Sequence, residues 1–358
     1  MPAADAPAGA AGRAPGMLDV ARLAGVSHQT VSRVLNGHPS VRPETRVRVE
    51  TAIRTLGYRR NSAARALATR RSSTVGLLTA TSNQSGPIFT LVAVEQACRA
   101  AGLWVSVVSL SVYDPESVRS ALDHFLDQGV DGIITIAPVR DAVLAASAVA
   151  PGLPLVVVAP LLAGSGGSLH VAVDQRQGAR SAVRHLVELG HTTIAHVPGP
   201  PDWLDAAERE AGWLAELSAS GLRPGPSLPG DWSAASGYAA GRRLLAEPGP
   251  TAVFAANDLM ALGLVRAVTE AGLRVPEDLS VVGFDDLEIA AYARPPLTTV
   301  RQDFGDLGRA AVDLLLARLV DEPAPPATLV EAVLQVRAST APPPPADSSA
   351  RTETSVEG

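Results

Sequence analysis

Between residues 17 and 57, apolar residues recur at helical spacing in three short stretches. In Leu18 to Ala24 the inward set is Val20, Leu23 and Ala24; the turn Gly25-Val26-Ser27 follows. The second stretch, His28 to Asn36, carries Val31, Val34 and Leu35 and stops at Gly37, a residue suited to a helix end. Pro43 opens the third, where Val49, Ile53 and Leu56 share a face until Gly57. Two helices across a tight glycine turn, braced by a third, predict a helix-turn-helix. From Thr74 the pattern changes. Runs such as "TVGLLT", "LWVSVVSL", "VDGIITI", "PLVVVA", "LHVAV", "TTIAHV", "TAVFAAND" and "LSVVGFDD" alternate with helical patterns, which predicts βαβ units and parallel sheets. Two series of such units predict an α/β core of two doubly wound lobes. Ligands in these folds sit beyond the carboxyl ends of the strands. That rule singles out Asn257 and Asp258, and Asp285 and Asp286.

The segments between and beyond these patterns set the expected organisation. Residues 1–16 are Ala/Pro/Gly-rich and read as a disordered extension, as does the Pro-rich tail 341–358. Residues 17–60 form the helical domain and 72–340 the two-lobed core. Between them, 61–71 contains "NSAARALAT", capped by Asn61. Such a stretch is too short to hold a helix alone in water, so it folds only when something holds it.

Charge sharpens this division. The chain carries a formal net charge of −6, unevenly spread. Residues 1–71 hold 12 Arg against four acids, leaving +8; the rest hold 18 Arg against 32 acids, leaving −14. A basic module on an acidic body is the footprint of a polyanion-binding domain. No apolar run approaches the roughly 20 residues of a membrane span. The N-terminus lacks the pattern of a secretory signal, and a single cysteine, Cys98, fits a reducing cytoplasm. A cytoplasmic protein is expected.

Ser27 is placed to cap the second helix, its hydroxyl accepting from the Thr30 amide. His28 and Gln29 then occupy the exposed first turn, followed by Ser32, Arg33 and Asn36. A recognition helix enters the major groove by this end, where Gln suits adenine, Arg suits guanine, and Ser or Thr suits phosphates or either base.

The stretch from "DVARLAGVSHQTVSRVLNG" to "LGYRRNSAARALATRRS" resembles the LacI-type transcriptional repressors over essentially its whole length. Later segments, "LGHTTIAHVPGP", "GDWSAASGY", "FAANDLMALGL", "VPEDLSVVGFDD" and "PPLTTVRQDF", resemble the core of that family's lactose-repressor-like branch. The resemblance implies a homodimer on a pseudo-palindromic operator in double-stranded DNA. It also implies a periplasmic-binding-protein-like core that clamps a small sugar effector, a galactoside among the candidates. By position, His28, Gln29 and Arg33 match base-reading residues, Asn61 and Ala64 match hinge positions, and Leu67 matches the leucine that wedges into the minor groove. Gly16 stands where a Thr commonly caps the first helix, and His28 replaces the tyrosine of the lactose-type reader, which leaves the operator sequence open. The sign of the effector's action, releasing or strengthening DNA binding, is equally open.

In the core, Arg209, Trp232, Asn257, Asp285 and Gln302 match effector-contacting positions, and "SGPI" places Pro87 in a pocket-lining loop. Such a set suits a sugar: Arg and Asp bind neighbouring hydroxyls, Asn and Gln discriminate by direction, and Trp covers ring C–H groups. In "APVRDA", Arg140 takes a place that is acidic in lactose-type members, with Asp141 next to it. The histidines at 124, 170, 185, 191 and 196 lack metal spacing and read as surface or strand-end residues. No nucleophile elbow is present, and Cys98 falls in a helical pattern, packed rather than reactive. No enzyme chemistry and no cofactor are expected. A solute-binding transport protein would share the core but would have no use for residues 17–71.

Overall fold

The computed structural model describes residues 15–58, 71–80, 84–112, 114–149, 152–163, 168–246 and 249–345. The chain divides into two compact units, Met1–Ser72 and Ser73–Gly358.

In the first unit α1 (Met17–Ala24), α2 (His28–Leu35) and α3 (Pro43–Leu56) close around Val20, Ala24, Val31, Val34, Val49 and Ala52. Gly25 turns the chain between α1 and α2 at φ 61°, a left-handed conformation that a side chain would resist. Leu23, expected on the inward face of α1, is exposed, and Ala21 packs in its place. Gly16 has no hydroxyl to cap α1, but Asp19 accepts its N–H at 2.8 Å, giving half of a capping box.

The second unit begins with five strands: β1 (Thr74–Ala80), β2 (Trp104–Leu110), β3 (Gly132–Ile136), β4 (Leu155–Val158) and β5 (Leu169–Val173). They are connected by α4 (Ser85–Ala100), α5 (Pro115–Asp127) and α6 (Arg140–Val149), apart from a direct passage between β4 and β5. The chain then crosses to α7 (Gln175–Glu188) and β6 (Ile194–Val197), followed by α8 (Leu204–Ala219) and α9 (Ala234–Leu244). The second lobe continues with β7 (Ala252–Ala255), α10 (Asp258–Glu270), β8 (Ser280–Val282), α11 (Glu288–Tyr292) and β9 (Thr299–Gln302). Next, α12 (Phe304–Leu319) and β10 (Ala327–Val330) return to the first lobe, and β11 (Ala332–Gln335) ends in the second.

The first sheet runs β10-β5-β4-β3-β1-β2, every neighbouring pair parallel. The second runs β6-β7-β8 in parallel, and a bridge from Val282 to Thr298 leads on to β9, which pairs antiparallel with β11. This is the α/β core of two doubly wound parallel lobes, with one antiparallel pair that the strand-helix alternation did not foretell.

Three crossings join the lobes, at Asp174, Asp303 and Glu331. Two are helix starts: Asp174 accepts from the Gln177 amide at 3.0 Å, and Asp303 from the Asp306 amide at 2.8 Å. The Asp174 N–H in turn donates to Val330 at 2.8 Å, which clamps two crossings together. In the second lobe, α9 and α10 pack backbone to backbone. A Cβ on Gly263 would sit 1.9 Å from the Ala234 carbonyl, so only glycine permits the approach. That contact brings Trp232, just before α9, against Asn257, just before α10. No helix among the described residues is long and apolar enough to cross a membrane.

Candidate functional site

The start of α2 has the geometry its sequence predicts. The Ser27 hydroxyl accepts the Thr30 amide at 3.2 Å and lies 2.9 Å from the Thr30 hydroxyl. Val31 and Val34 face inward, so His28, Gln29, Arg33 and Asn36 are left exposed, with Thr30 and Ser32 half-buried. Asn36 donates to the Ser32 hydroxyl at 3.5 Å. A capped helix start thus presents one exposed polar edge. Asn61, Ala64 and Leu67 lie outside the described residues.

In the second unit, two adjoining hollows, one larger than the other, lie between the lobes. Pro87 at the start of α4 lines both, as do Trp203 and Asp205 at the start of α8. Arg209, Trp232, Asn257 and Asp285 line the smaller, and Gln175 and Gln302 the larger. All six sequence-assigned effector residues are therefore brought to one cleft. Arg140 and Asp141 are not; both are exposed on α6.

Polar side chains form a closed ring here. Arg209 Nε donates to Gln175 Oε1 at 2.9 Å, and Gln175 Nε2 donates to Gln302 Oε1 at 2.8 Å. Gln302 Nε2 donates to Asp285 Oδ1 at 2.7 Å, and Arg209 Nη1 lies 3.4 Å from the same oxygen. Nη1 also donates to the Ala256 carbonyl. The guanidinium is sandwiched, 3.9 Å over Phe284 and 5.4 Å from the Trp232 ring centre. Arg209 is only 3% exposed, which decides against a solvated helix residue.

Asn257 holds a structural role at the same time. Its Oδ1 caps α10 through the Met260 amide at 2.9 Å, and its Nδ2 donates to the Trp232 carbonyl at 3.0 Å. The two strand-end neighbours turn away from the cleft. Asp258 accepts the Leu287 amide at 2.7 Å and the Thr299 hydroxyl, and Asp286 pairs with Arg337 at 2.6 Å. These bonds fix the β8–α11 turn, where Asp285 and Asp286 adopt φ of 112° and 53°. Such backbone costs about 1–3 kcal/mol per residue and persists only when its surroundings impose it.

Burial dominates the electrostatics. It pushes Asp285 up to about 6, against the pull of Arg209 and the Gln302 hydrogen bond. It holds Asp258 well above the carboxylate range, with Asp285 adding to the effect. Asp205 is also raised by burial, offset in part by Arg209. Gln175 and Asp205 were missed in the sequence. Gln175 follows a strand end, where the rule that marked Asn257 applies equally; Asp205 lies one helical turn before Arg209.

Of the histidines expected at the surface or at strand ends, His124 is exposed, but three others are not. His170, His191 and His196 are buried, each with hydrogen-bond partners. Cys98 is buried, and burial raises its thiol to about 11, the opposite of an activated nucleophile.

Comparison with known proteins accords with this geometry. The family of bacterial regulatory proteins of the lacI type matches residues 16–61, and the periplasmic binding protein-like domain matches 183–340. The lactose operon repressor of Escherichia coli strain K12 is 40% identical over 305 residues, 84% of this chain and 83% of that protein. The HTH-type transcriptional regulator CelR of Thermobifida fusca is 39% identical over 346 residues, 91% of this chain and 98% of that protein. A crystal structure of the lac repressor dimer bound to operator and the anti-inducer ONPF aligns with TM-score 0.82 and 36% identity, covering 92% of this chain and all of that one. A CelR–cellobiose complex aligns with TM-score 0.67 and 34% identity, covering 91% and 99%. With a helix-turn-helix and an interlobe cleft both matched along most of the chain, this protein belongs to the LacI family of transcriptional repressors.

Proposed function

We propose that the chain represses transcription as a dimer on a pseudo-palindromic operator, and that a small neutral sugar in the interlobe cleft controls that binding. It acts as a regulator rather than an enzyme, in the cytoplasm where its DNA lies, and needs no cofactor. The carrying observation is the ring of Arg209, Gln175, Gln302 and Asp285, set where the crossings between the lobes begin and end. A ligand that bonds to this ring on the second lobe and also touches Pro87 on the first changes the relation of the lobes. Pro87, Trp232 and Asn257 complete the effector site, and a galactoside is one candidate occupant. On the DNA side, Ser27 orients α2, and His28, Gln29 and Arg33 read bases. Thr30, Ser32 and Asn36 reach backbone or base edges. From the sequence alone, Asn61 and Ala64 are hinge residues and Leu67 a minor-groove wedge. Exposed Ile88, Phe89 and Val92 on α4, with Trp104 and Val107 on the edge strand β2, support self-association.

Selection from a randomised duplex pool tests this directly. A two-fold-symmetric site should emerge, and lactose, cellobiose or ribose should shift its affinity; the direction of the shift gives the effector's sign. The Leu67→Ala protein should lose operator affinity and keep sugar affinity. An enriched site without symmetry, or equal operator binding by Leu67→Ala, would remove the corresponding part of the reading.

A further inference from the structure

Two members of the polar ring, Gln302 and Asp285, are supported by one stretch of chain, the stretch that arrives through the third crossing at Glu331. Ala332 pairs with Gln302 and Gln335 with Thr299, so β11 runs back along β9. Beyond it, residues 336–341 continue as a strap. The Val281 N–H donates to the Ser339 carbonyl at 2.8 Å, and the Ser339 hydroxyl accepts the Thr298 N–H at 2.8 Å. The strap is thus bonded to β8 on one side and to the approach to β9 on the other.

Arg337 makes three bonds within this strap. Its main-chain N–H donates to the Thr298 hydroxyl at 2.9 Å, Nη1 to the Leu297 carbonyl at 2.8 Å, and Nη2 to the Asp286 carboxylate at 2.6 Å. A lysine, with one ammonium on a flexible stem, could not hold a carbonyl and a carboxylate in this fixed relation. The Asp286 side chain is 12% exposed, so water does not replace the guanidinium. Asp286 directly follows Asp285, and both have positive φ, which residues other than glycine keep only where their surroundings impose it. The Asp286 main chain is weakly held, its N–H reaching the Thr299 hydroxyl only at 3.4 Å. The short, charge-assisted bond is the one from Arg337.

We propose that Arg337 is a positioning residue of the effector site: by holding Asp286, it fixes the turn in which Asp285 presents its carboxylate to the ligand. The proposal rests on the reading of the cleft as a sugar site. Arg337 lines neither hollow, so its effect on a ligand passes through Asp286. Released from Arg337, the turn relaxes toward ordinary backbone, and Asp285 loses its place beside Gln302 and Arg209.

Calorimetry on the full chain with lactose, cellobiose and ribose, beside urea denaturation, compares the parent with Arg337→Met, Asp286→Asn, their double variant, Ser339→Ala and Arg209→Ala. Asn tolerates the left-handed backbone that Asp286 adopts, so Asp286→Asn removes the charge pair and spares the fold. It carries the test if Arg337→Met does not fold. Whichever sugar the parent binds should bind Arg337→Met and Asp286→Asn more weakly, Arg337→Met by about tenfold. The double variant should be no worse than Arg337→Met, because both changes break one contact. Ser339→Ala, in the same strap but off the turn, should lower the urea midpoint and keep the parent's sugar affinity. If Arg337→Met and Asp286→Asn bind the sugar as the parent does while Arg209→Ala does not, the proposal is overturned and the sugar site stands. An equal loss of affinity in Ser339→Ala would make the role of Arg337 merely structural and overturn it too. A parent that binds none of the three sugars overturns both readings.

Discussion

Gln175 and Gln302, 127 residues apart in sequence, meet side chain to side chain at 2.8 Å. Gln175 opens α7 just after the first crossing between the lobes, and Gln302 ends β9 just before the second. Their amides link Arg209 to Asp285 within the second lobe, beside both crossings. The Gln175→Ala protein leaves two buried groups unpaired, Arg209 Nε and Gln302 Oε1. Unsatisfied buried groups cost about 1–3 kcal/mol each. Chemical denaturation should show a loss in that range, and calorimetry a weakened sugar affinity. DNA binding without sugar should change little. An unaltered sugar affinity would mean that the ring does not hold the site together.

The pair Arg209–Asp285 should respond asymmetrically to mutation. Arg209→Ala leaves a buried carboxylate without its cation, a change worth about 3–5 kcal/mol. Asp285→Asn is milder, because Arg209 keeps Gln175, the Ala256 carbonyl and two aromatic faces. The pH dependence follows from Asp285 at about 6, above an unfolded carboxyl near 4. A raised carboxyl favours the protonated folded state. Its stabilising contribution is present below about pH 4 and is lost as pH rises through 6, about 3 kcal/mol in all. Urea titrations should therefore show this rise toward acid in the parent and not in Asp285→Asn. Sugar affinity should fall about tenfold from pH 7 to pH 5, as the acceptor carboxylate is protonated.

His196 imposes the opposite slope. Its ring stacks between Trp213 at 5.0 Å and Phe254 at 4.9 Å, and Nδ1–H donates to the Phe254 carbonyl at 2.8 Å. Nε2 is buried without a partner, so a second proton would be a bare charge in the core. Burial lowers this histidine to about 4, with the Arg209 charge adding to it and the Phe254 bond opposing. A lowered histidine stabilises above about pH 6.5, and that contribution is lost as pH falls toward 4, about 3 kcal/mol in all. His196→Gln should lose less stability than the parent between pH 6.5 and pH 4 in urea titrations. Equal losses would show that another group controls the acid limb.

What was legible in the sequence follows from how local each cause is. Helix period, strand alternation and the Ser27 cap depend on neighbours a few residues away, so α1 to α3 and β1 to β8 were readable. Strands β9, β10 and β11 were not, because their pairing depends on chain returning from the other lobe. Leu23 was misplaced because a helical stripe also covers positions at its margin, and tertiary packing chose Ala21. The site showed the same split. Strand-end position identified Asn257 and Asp285, but it could not show that Asp258 and Asp286 turn away to hold the turn. Buried histidines such as His191 owe their place to partners 60 to 150 residues distant, beyond any spacing rule.

Ser27 and Gln29, two residues apart, should separate fold from recognition. Ser27 accepts the Thr30 amide and so holds the first turn of α2. Ser27→Ala should lower the stability of the helical unit by about 1 kcal/mol and weaken binding to all DNA sequences alike. The Gln29 side chain is exposed and makes no hydrogen bond among the described residues. Gln29→Ala should leave the melting temperature in place and relax discrimination at one base pair per half-site, by about 1–3 kcal/mol. Anisotropy titrations of both variants against the selected duplex and its single-base changes measure this. If Gln29→Ala weakened all duplexes equally, Gln29 would be a backbone contact, and base reading would fall to His28 and Arg33.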